Sequence, residues 1–139
     1  MSSFTKTFPK GTLVIRTDLA VESIVSKKPG EKIVCDAIWD TGANASAISF
    51  DTVRKLGLMP VQTAFFTTAN GRCEMPMYMG DLTLPNGRQI KDVMVSGLKL
   101  GICDALVGMD VITQGDLHLT NDGNMIFSFH IPSEKRAIP

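Results

Sequence analysis

Excess charge, a cysteine framework, a histidine cluster and any long apolar run are all missing from this chain, and each absence closes off a class of function. Lys and Arg number 14 and so do Asp and Glu, so no net field draws the protein to nucleic acid or to an anionic membrane, and neither is expected as a partner. Cys35, Cys73 and Cys103 are odd in number, widely spaced and without a Cys-x-x-Cys pair. They therefore argue against a disulfide scaffold or a zinc knuckle and for free thiols in a reducing compartment. His118 and His130 are the only histidines and have no partner at ligand spacing, so no metal and no cofactor are expected. No stretch reaches the apolar length of a membrane span or a signal peptide, which makes a cytoplasmic protein the expectation. A Gly-x-Ser-x-Gly elbow and a phosphate-cradling glycine loop are absent as well.

What remains is turn-punctuated β sequence. Thr12–Thr17, Lys32–Trp39, Ala64–Ala69, Cys73–Leu84, Gln89–Val95, Asp116–Thr120 and Met125–Ile131 read as strands. Between them lie turn formers such as Lys28-Pro29-Gly30-Glu31, Asn70-Gly71, Pro85-Asn86-Gly87-Arg88 and Asn121-Asp122-Gly123-Asn124, so the fold class is all-β with several hairpins. Ser49 to Gly57 breaks the pattern. A capping Ser49, Asp51 in the first turn, Arg54 and Lys55 in the last and Gly57 just beyond predict a short helix. A second helix of one or two turns is expected over Met109–Thr113. With 139 residues the chain fits one domain, 1–139, with residues 1–10 and 133–139 expected as flexible ends.

Chemistry concentrates at Asp40-Thr41-Gly42-Ala43, which follows the apolar residues Ile33, Val34, Ala37, Ile38 and Trp39 and leads into Asn44-Ala45-Ser46-Ala47-Ile48-Ser49. A strand ending in Asp-Thr-Gly lifts a carboxylate onto a tight turn, and Gly42 permits both unusual backbone angles and close approach. The stretch resembles the active-site turn of an aspartic peptidase. Peptide hydrolysis by carboxyls needs one group to take a proton from the attacking water and another to give one to the carbonyl oxygen, so two must share a proton at short range. The tripeptide occurs once, and a chain of this length has no room for two peptidase lobes. A symmetric homodimer with Asp40 facing its symmetry mate is the economical solution. Asp104 and Asp110 were the candidates for a second carboxyl within one chain, and a structural role is the better reading of both.

A second motif, Ala105-Leu106-Val107-Gly108-Met109-Asp110, completes a resemblance over about Lys32 to Ile131 to the retropepsins, the single-lobed aspartic peptidases of retroviruses and retrotransposons with cellular and bacterial relatives. The resemblance implies a closed acid-protease barrel with one or two short helices and a flap hairpin. It also implies an endopeptidase that acts on peptide or protein substrates as a homodimer, without a cofactor. Asp40 is then the catalytic carboxylate. Thr41 would brace the two turns across the dimer axis, Gly42 would give its N–H to the carboxylate, and Leu106, Val107 and Gly108 would pack beneath the turn. Ala43 lacks the hydroxyl that related turns often carry, so activity is expected nearer neutral pH.

The hairpin Ala64–Met79 around Asn70-Gly71 is the candidate flap. A two-residue Asn-Gly loop predicts pairs Thr68–Cys73, Phe66–Met75 and Ala64–Met77 on one face and Thr67, Arg72 and Glu74 on the other, so Phe66, Thr68, Asn70, Gly71, Cys73 and Met75 are candidate substrate contacts. Beyond Gly108 the chain continues into an additional hairpin, more like the cellular retroviral-type domains than the shorter viral members. Met125, Phe127, Phe129 and Ile131 alternate there as one apolar ridge, on which the dimer seam is placed. Two competing functions stand beside the enzyme. One is a catalytically silent dimer that keeps the fold and binds peptides, and the other is a structural β module in which Asp40-Thr41-Gly42 is only a turn.

Overall fold

A computed structural model describes residues 2–132. In chain order the elements are β1 (Ser2–Phe8), β2 (Arg16–Ser23), β3 (Lys32–Trp39), β4 (Ala47–Ser49), α1 (Phe50–Leu56), β5 (Gln62–Thr68), β6 (Gly71–Thr83), β7 (Gln89–Leu98), β8 (Ala105–Val107), α2 (Met109–Ile112), β9 (Asp116–Thr120) and β10 (Met125–Ile131). Seven strands form a sheet in the order β2-β3-β8-β4-β7-β6-β5, and β2 also pairs with β6, so the sheet turns back on itself as a ring. A second sheet has the order β1-β10-β9.

Local chemistry accounts for most of these elements. β2 buries Thr17, Leu19, Val21 and Ser23 in strict alternation, the period of a half-buried strand. α1 starts where the Ser49 hydroxyl accepts from the Thr52 N–H at 3.1 Å and stops at Gly57, whose φ of 61° is the left-handed conformation glycine adopts without steric cost. The fit to expectation is close for β3, β9 and β10, and both predicted helices are present.

Three expectations are corrected. Residues 1–10 were to be a flexible end, yet Ser2–Phe8 forms β1 and pairs in continuous register with β10, from Ser2 opposite Ile131 to Phe8 opposite Met125. Its cohesion comes from a partner more than a hundred positions away, which no local pattern reveals. Thr12–Thr17 is not a strand, because Thr12 folds back through its N–H and hydroxyl onto the Pro9 carbonyl and Leu13 is 95% exposed; the strand begins at Arg16. The ridge of Met125, Phe127, Phe129 and Ile131 is no dimer seam, for all four side chains are buried within this chain. The far end, 133–139, lies outside the described residues.

That ridge meets the ring at Trp39, the last residue of β3. The Trp39 ring lies 5.1 Å from Phe127, 5.0 Å from Phe129 and 6.0 Å from Phe4 on β1, separations in the favourable aromatic range. Its indole N–H donates to the Thr17 hydroxyl at 2.9 Å, so a large apolar body is buried with its one polar atom satisfied. Phe127 is wholly buried, and Phe127→Ala is expected to cost about 3–5 kcal/mol, read as a lowered midpoint in urea unfolding at unchanged slope.

Candidate active site

Three strands place the Asp40 turn. β8 lies between β3 and β4, parallel to the first with Ile38 opposite Leu106 and Trp39 opposite Val107, and antiparallel to the second with Ala47 opposite Leu106. The chain therefore leaves β3 at Asp40, turns, and returns as β4 on the far side of a strand that arrives much later in sequence. The Asp40 N–H donates to the Val107 carbonyl at 2.9 Å, and the Ala43 N–H closes the turn on the Asp40 carbonyl at 3.1 Å.

The carboxylate is held from within the turn. The Gly42 N–H donates to Asp40 Oδ1 at 2.9 Å, and a Cβ at position 42 would sit 3.2 Å from that oxygen. Gly42 does not occupy the left-handed region, so of the two reasons expected for a glycine here, close approach is the one that applies. Thr41 and Gly42 are exposed and Asp40 is half-buried. The Thr41 hydroxyl has no hydrogen-bond partner among the described residues.

Leu106, Val107 and Gly108 are brought directly beneath this turn. A Cβ on Gly108 would come within 2.8 to 2.9 Å of Ala43 O and of the Ala45 carbonyl atoms, closer than real carbon contacts permit. Just past it, the Met109 N–H donates to the Ala43 carbonyl at 2.8 Å and the Asp110 N–H to the Asn44 carbonyl at 3.2 Å. Ser46 is the residue that sequence reasoning passed over. Its buried hydroxyl accepts from the Gly108 N–H at 2.9 Å and donates to Asp110 Oδ1 at 2.7 Å, while its own N–H donates to Asp110 Oδ2 at 3.0 Å. The available signal was a small hydroxyl residue in the otherwise apolar run Ala45-Ser46-Ala47-Ile48.

Both alternative carboxyls are committed elsewhere. Asp110 accepts those two bonds from Ser46 and one from the Val111 N–H at 2.9 Å. Asp104 accepts from the Asp36 N–H at 2.9 Å, near the opposite end of β3. The cysteines read as core where burial is complete, for desolvation first and the nearby Asp104 second push the Cys35 thiol up to about 11, which leaves it protonated and unreactive at neutral pH. Burial raises Cys103 too.

A groove of about 340 Å³ runs beside Asp40 and Thr41, walled by Leu13, Val14, Leu117 and Leu119 with Ile38 and Trp39 also lining it. A larger cavity of about 640 Å³ touches Asp110 but not Asp40, Thr41 or Gly42. The candidate flap is a real hairpin, β5 against β6, although its register differs from expectation by two residues. Thr68 pairs with Gly71, Phe66 with Cys73 and Ala64 with Met75, because the loop is Ala69-Asn70 and Gly71, at φ 110°, opens the returning strand. A shift of two preserves faces. Ala64, Cys73 and Met75 stay on the half-buried side, while Phe65, Thr67, Arg72 and Glu74 are exposed, with the Arg72 guanidinium 4.3 Å from the Phe65 ring centroid. The side chains of Phe66 and Thr68 lie outside the described part of the structure. Asn70, Gly71, Cys73 and Met75 do not line the groove beside Asp40.

Solved structures share this architecture at low identity. A retropepsin-like aspartic protease from Rickettsia conorii superposes with a TM-score of 0.56 at 14% identity, covering 94% of this chain and 95% of that one. The retroviral protease-like domain of Ddi1 from Leishmania major gives 0.52 at 15% identity, over 88% and 98%. The EIAV protease gives 0.51 at 13%, over 73% and 86%. The fold is thus that of the retropepsin-like aspartic proteases. The family described as gag-polyprotein putative aspartyl protease matches residues 30–114, and the chain belongs to it. No curated protein matches the chain.

The buried Ser46 hydroxyl joins two motifs, so Ser46→Ala leaves the Gly108 N–H and one Asp110 oxygen without their partner. It is expected to lower stability by about 1–3 kcal/mol, measured by chemical denaturation, and Ser46→Thr should lose less if the added methyl is accommodated.

Proposed function

We propose that the protein is an aspartic endopeptidase whose active form is a homodimer, with Asp40 from each copy meeting across the two-fold axis. The observation that carries this reading is the exposed Asp40 turn: its carboxylate is oriented by the Gly42 N–H at 2.9 Å, its backbone is clamped from below by Gly108, and Asp104 and Asp110 are engaged elsewhere. A site built to this standard with one carboxyl is half of an acid–base pair.

In the dimer the two Asp40 carboxyls hold one proton between them, since two like charges at that range cannot both ionise. The ionised member takes a proton from a water molecule as its oxygen adds to the peptide carbonyl carbon. The protonated member gives its proton to the carbonyl oxygen. Collapse of the tetrahedral adduct breaks the C–N bond, with a proton passed to the departing amine, and restores the shared state. Thr41, without a partner in the single copy, braces one turn against the other. Gly42, Ala43, Leu106, Val107 and Gly108 keep the carboxylate where it must be, which is how positioning contributes to rate. The substrate is an extended peptide, held by main-chain hydrogen bonds and covered by the β5–β6 hairpin, with Phe66, Thr68, Asn70, Gly71, Cys73 and Met75 as its contacts.

Asp40→Asn keeps the shape and removes the ionisable group. A fall of at least about a hundredfold in kcat/KM on a peptide library is expected, and equal signals from both proteins would leave the silent peptide-binding dimer as the better reading. A second measurement concerns Ala43, which offers no hydroxyl to the charged carboxylate: the pH–rate profile should reach its maximum in the weakly acid to neutral range, and an optimum confined to strongly acid solution would count against this role.

A further inference from the structure

We infer that the two copies join along the free edge of β9, burying between them the apolar rim of Leu13, Val14, Leu117 and Leu119; this rests on the reading above that two copies pool their Asp40 carboxyls. In the three-stranded sheet Leu119 lies opposite Phe127 and Leu117 opposite Phe129, which puts all four on one face. Neighbours on one face of a sheet normally share their cover. Here Phe127 and Phe129 are 0% exposed, while Leu119 is 44% exposed and Leu117 is half-buried. The core of the single chain ends between β10 and β9 and leaves the apolar face of the last strand bare.

The opposite wall of that groove is bare too, with Leu13 at 95% and Val14 at 42% exposure. Asp40 and Thr41 line the same groove, so a partner that brings its Asp40 against this one must also come against these leucines. Exposed apolar surface continuous with a half-completed site marks an interface, and the occupant that completes the site is a second copy.

β9 is suited to the role. β10 is its only ladder partner among the described residues, and its sequence Asp116-Leu117-His118-Leu119-Thr120 has no Lys, Pro or bulge of the kind that keeps an edge strand from pairing. Two copies of β9, antiparallel about an axis perpendicular to the sheet, place Leu117 opposite the partner's Leu119 and His118 opposite the partner's His118. The two three-stranded sheets then become one of six strands, and the contact is isologous and closes on itself. Asp40 is the only charged side chain lining the groove, so apolar burial and backbone hydrogen bonds hold this seam rather than ion pairs.

Sedimentation equilibrium and cysteine cross-linking test the inference. Leu13→Lys and Leu119→Lys change exposed side chains, so they should leave the melting temperature nearly unaltered while raising the dimer dissociation constant at least about tenfold each. Raising NaCl from about 0.05 M to about 1 M should not weaken the wild-type dimer. In a Cys73→Ser background, His118→Cys is expected to give a disulfide-linked dimer on oxidation, and Thr5→Cys on the other edge of the sheet is expected to stay monomeric under denaturing conditions.

A wild-type dimer that both lysine variants leave intact would overturn the seam, as would cross-linking through Thr5→Cys alone, salt-induced dissociation, or lysine variants that alter only KM, the last making the groove a substrate subsite. A wild type that is monomeric at high concentration would overturn it as well. Dimers sensitive to both lysine substitutions in a protein that cleaves no peptide would uphold the seam and remove the enzymatic reading, and the same experiment on Asp40→Asn separates the two directly.

Discussion

The insertion of β8 between β3 and β4 is the constraint on which everything else rests. It makes one three-residue strand serve as parallel neighbour to the strand entering the Asp40 turn and antiparallel neighbour to the strand leaving it. The turn is thereby held at both ends by the same short segment. The residue after that segment must then sit so close to Ala43 and Ala45 that it has no room for a side chain, and Gly108 meets the demand. The Ser46–Asp110 hydrogen bonds tie the same three pieces together a second time. Because backbone amides and carbonyls provide most of these contacts, the arrangement is stiff without depending on bulky side chains near the reactive carboxylate.

A turn clamped from below presents its upper surface to the outside, and the distribution of apolar side chains follows from that. Trp39, immediately before Asp40, points down into the aromatic cluster with Phe4, Phe127 and Phe129 and so anchors the turn to the second sheet. Above the turn the pattern reverses: Thr41 and Gly42 are exposed, and the neighbouring wall carries Leu13, Val14 and Leu119 in contact with water. A single copy is therefore well packed on one side of its catalytic loop and unfinished on the other. The family to which the chain belongs and the fold it shares with retropepsin-like proteases are consistent with an unfinished side that a second identical copy completes. Symmetry lets a short sequence supply two carboxyls while encoding one.

Local signals were sufficient wherever the physical cause was local. The apolar run from Ile33 to Trp39 ending in Asp40-Thr41-Gly42, the cap residues Ser49 and Gly57, and the alternation of Met125, Phe127, Phe129 and Ile131 each specify a conformation through neighbouring residues, and each stands in the structure where the sequence places it. The register of the β5–β6 hairpin was harder to read. The faces follow from alternation alone, but Ala69-Asn70 forms the loop in place of Asn70-Gly71 because glycine at 71 is used for its positive φ at the strand entrance and not as a loop centre.

By itself, then, the amino-acid sequence determined the all-β class, the position of the carboxylate, the second motif and the helix ends, since steric preference, capping and side-chain periodicity act within a few residues. Only the tertiary structure decided that Ser2–Phe8 is a strand, that Ser46 links Gly108 to Asp110, and that the ridge on β10 is core while Leu13 and Leu119 stay uncovered. Those outcomes depend on which distant segments meet, and a hydrophobic residue carries in its own sequence no mark that says whether another part of the chain will reach it.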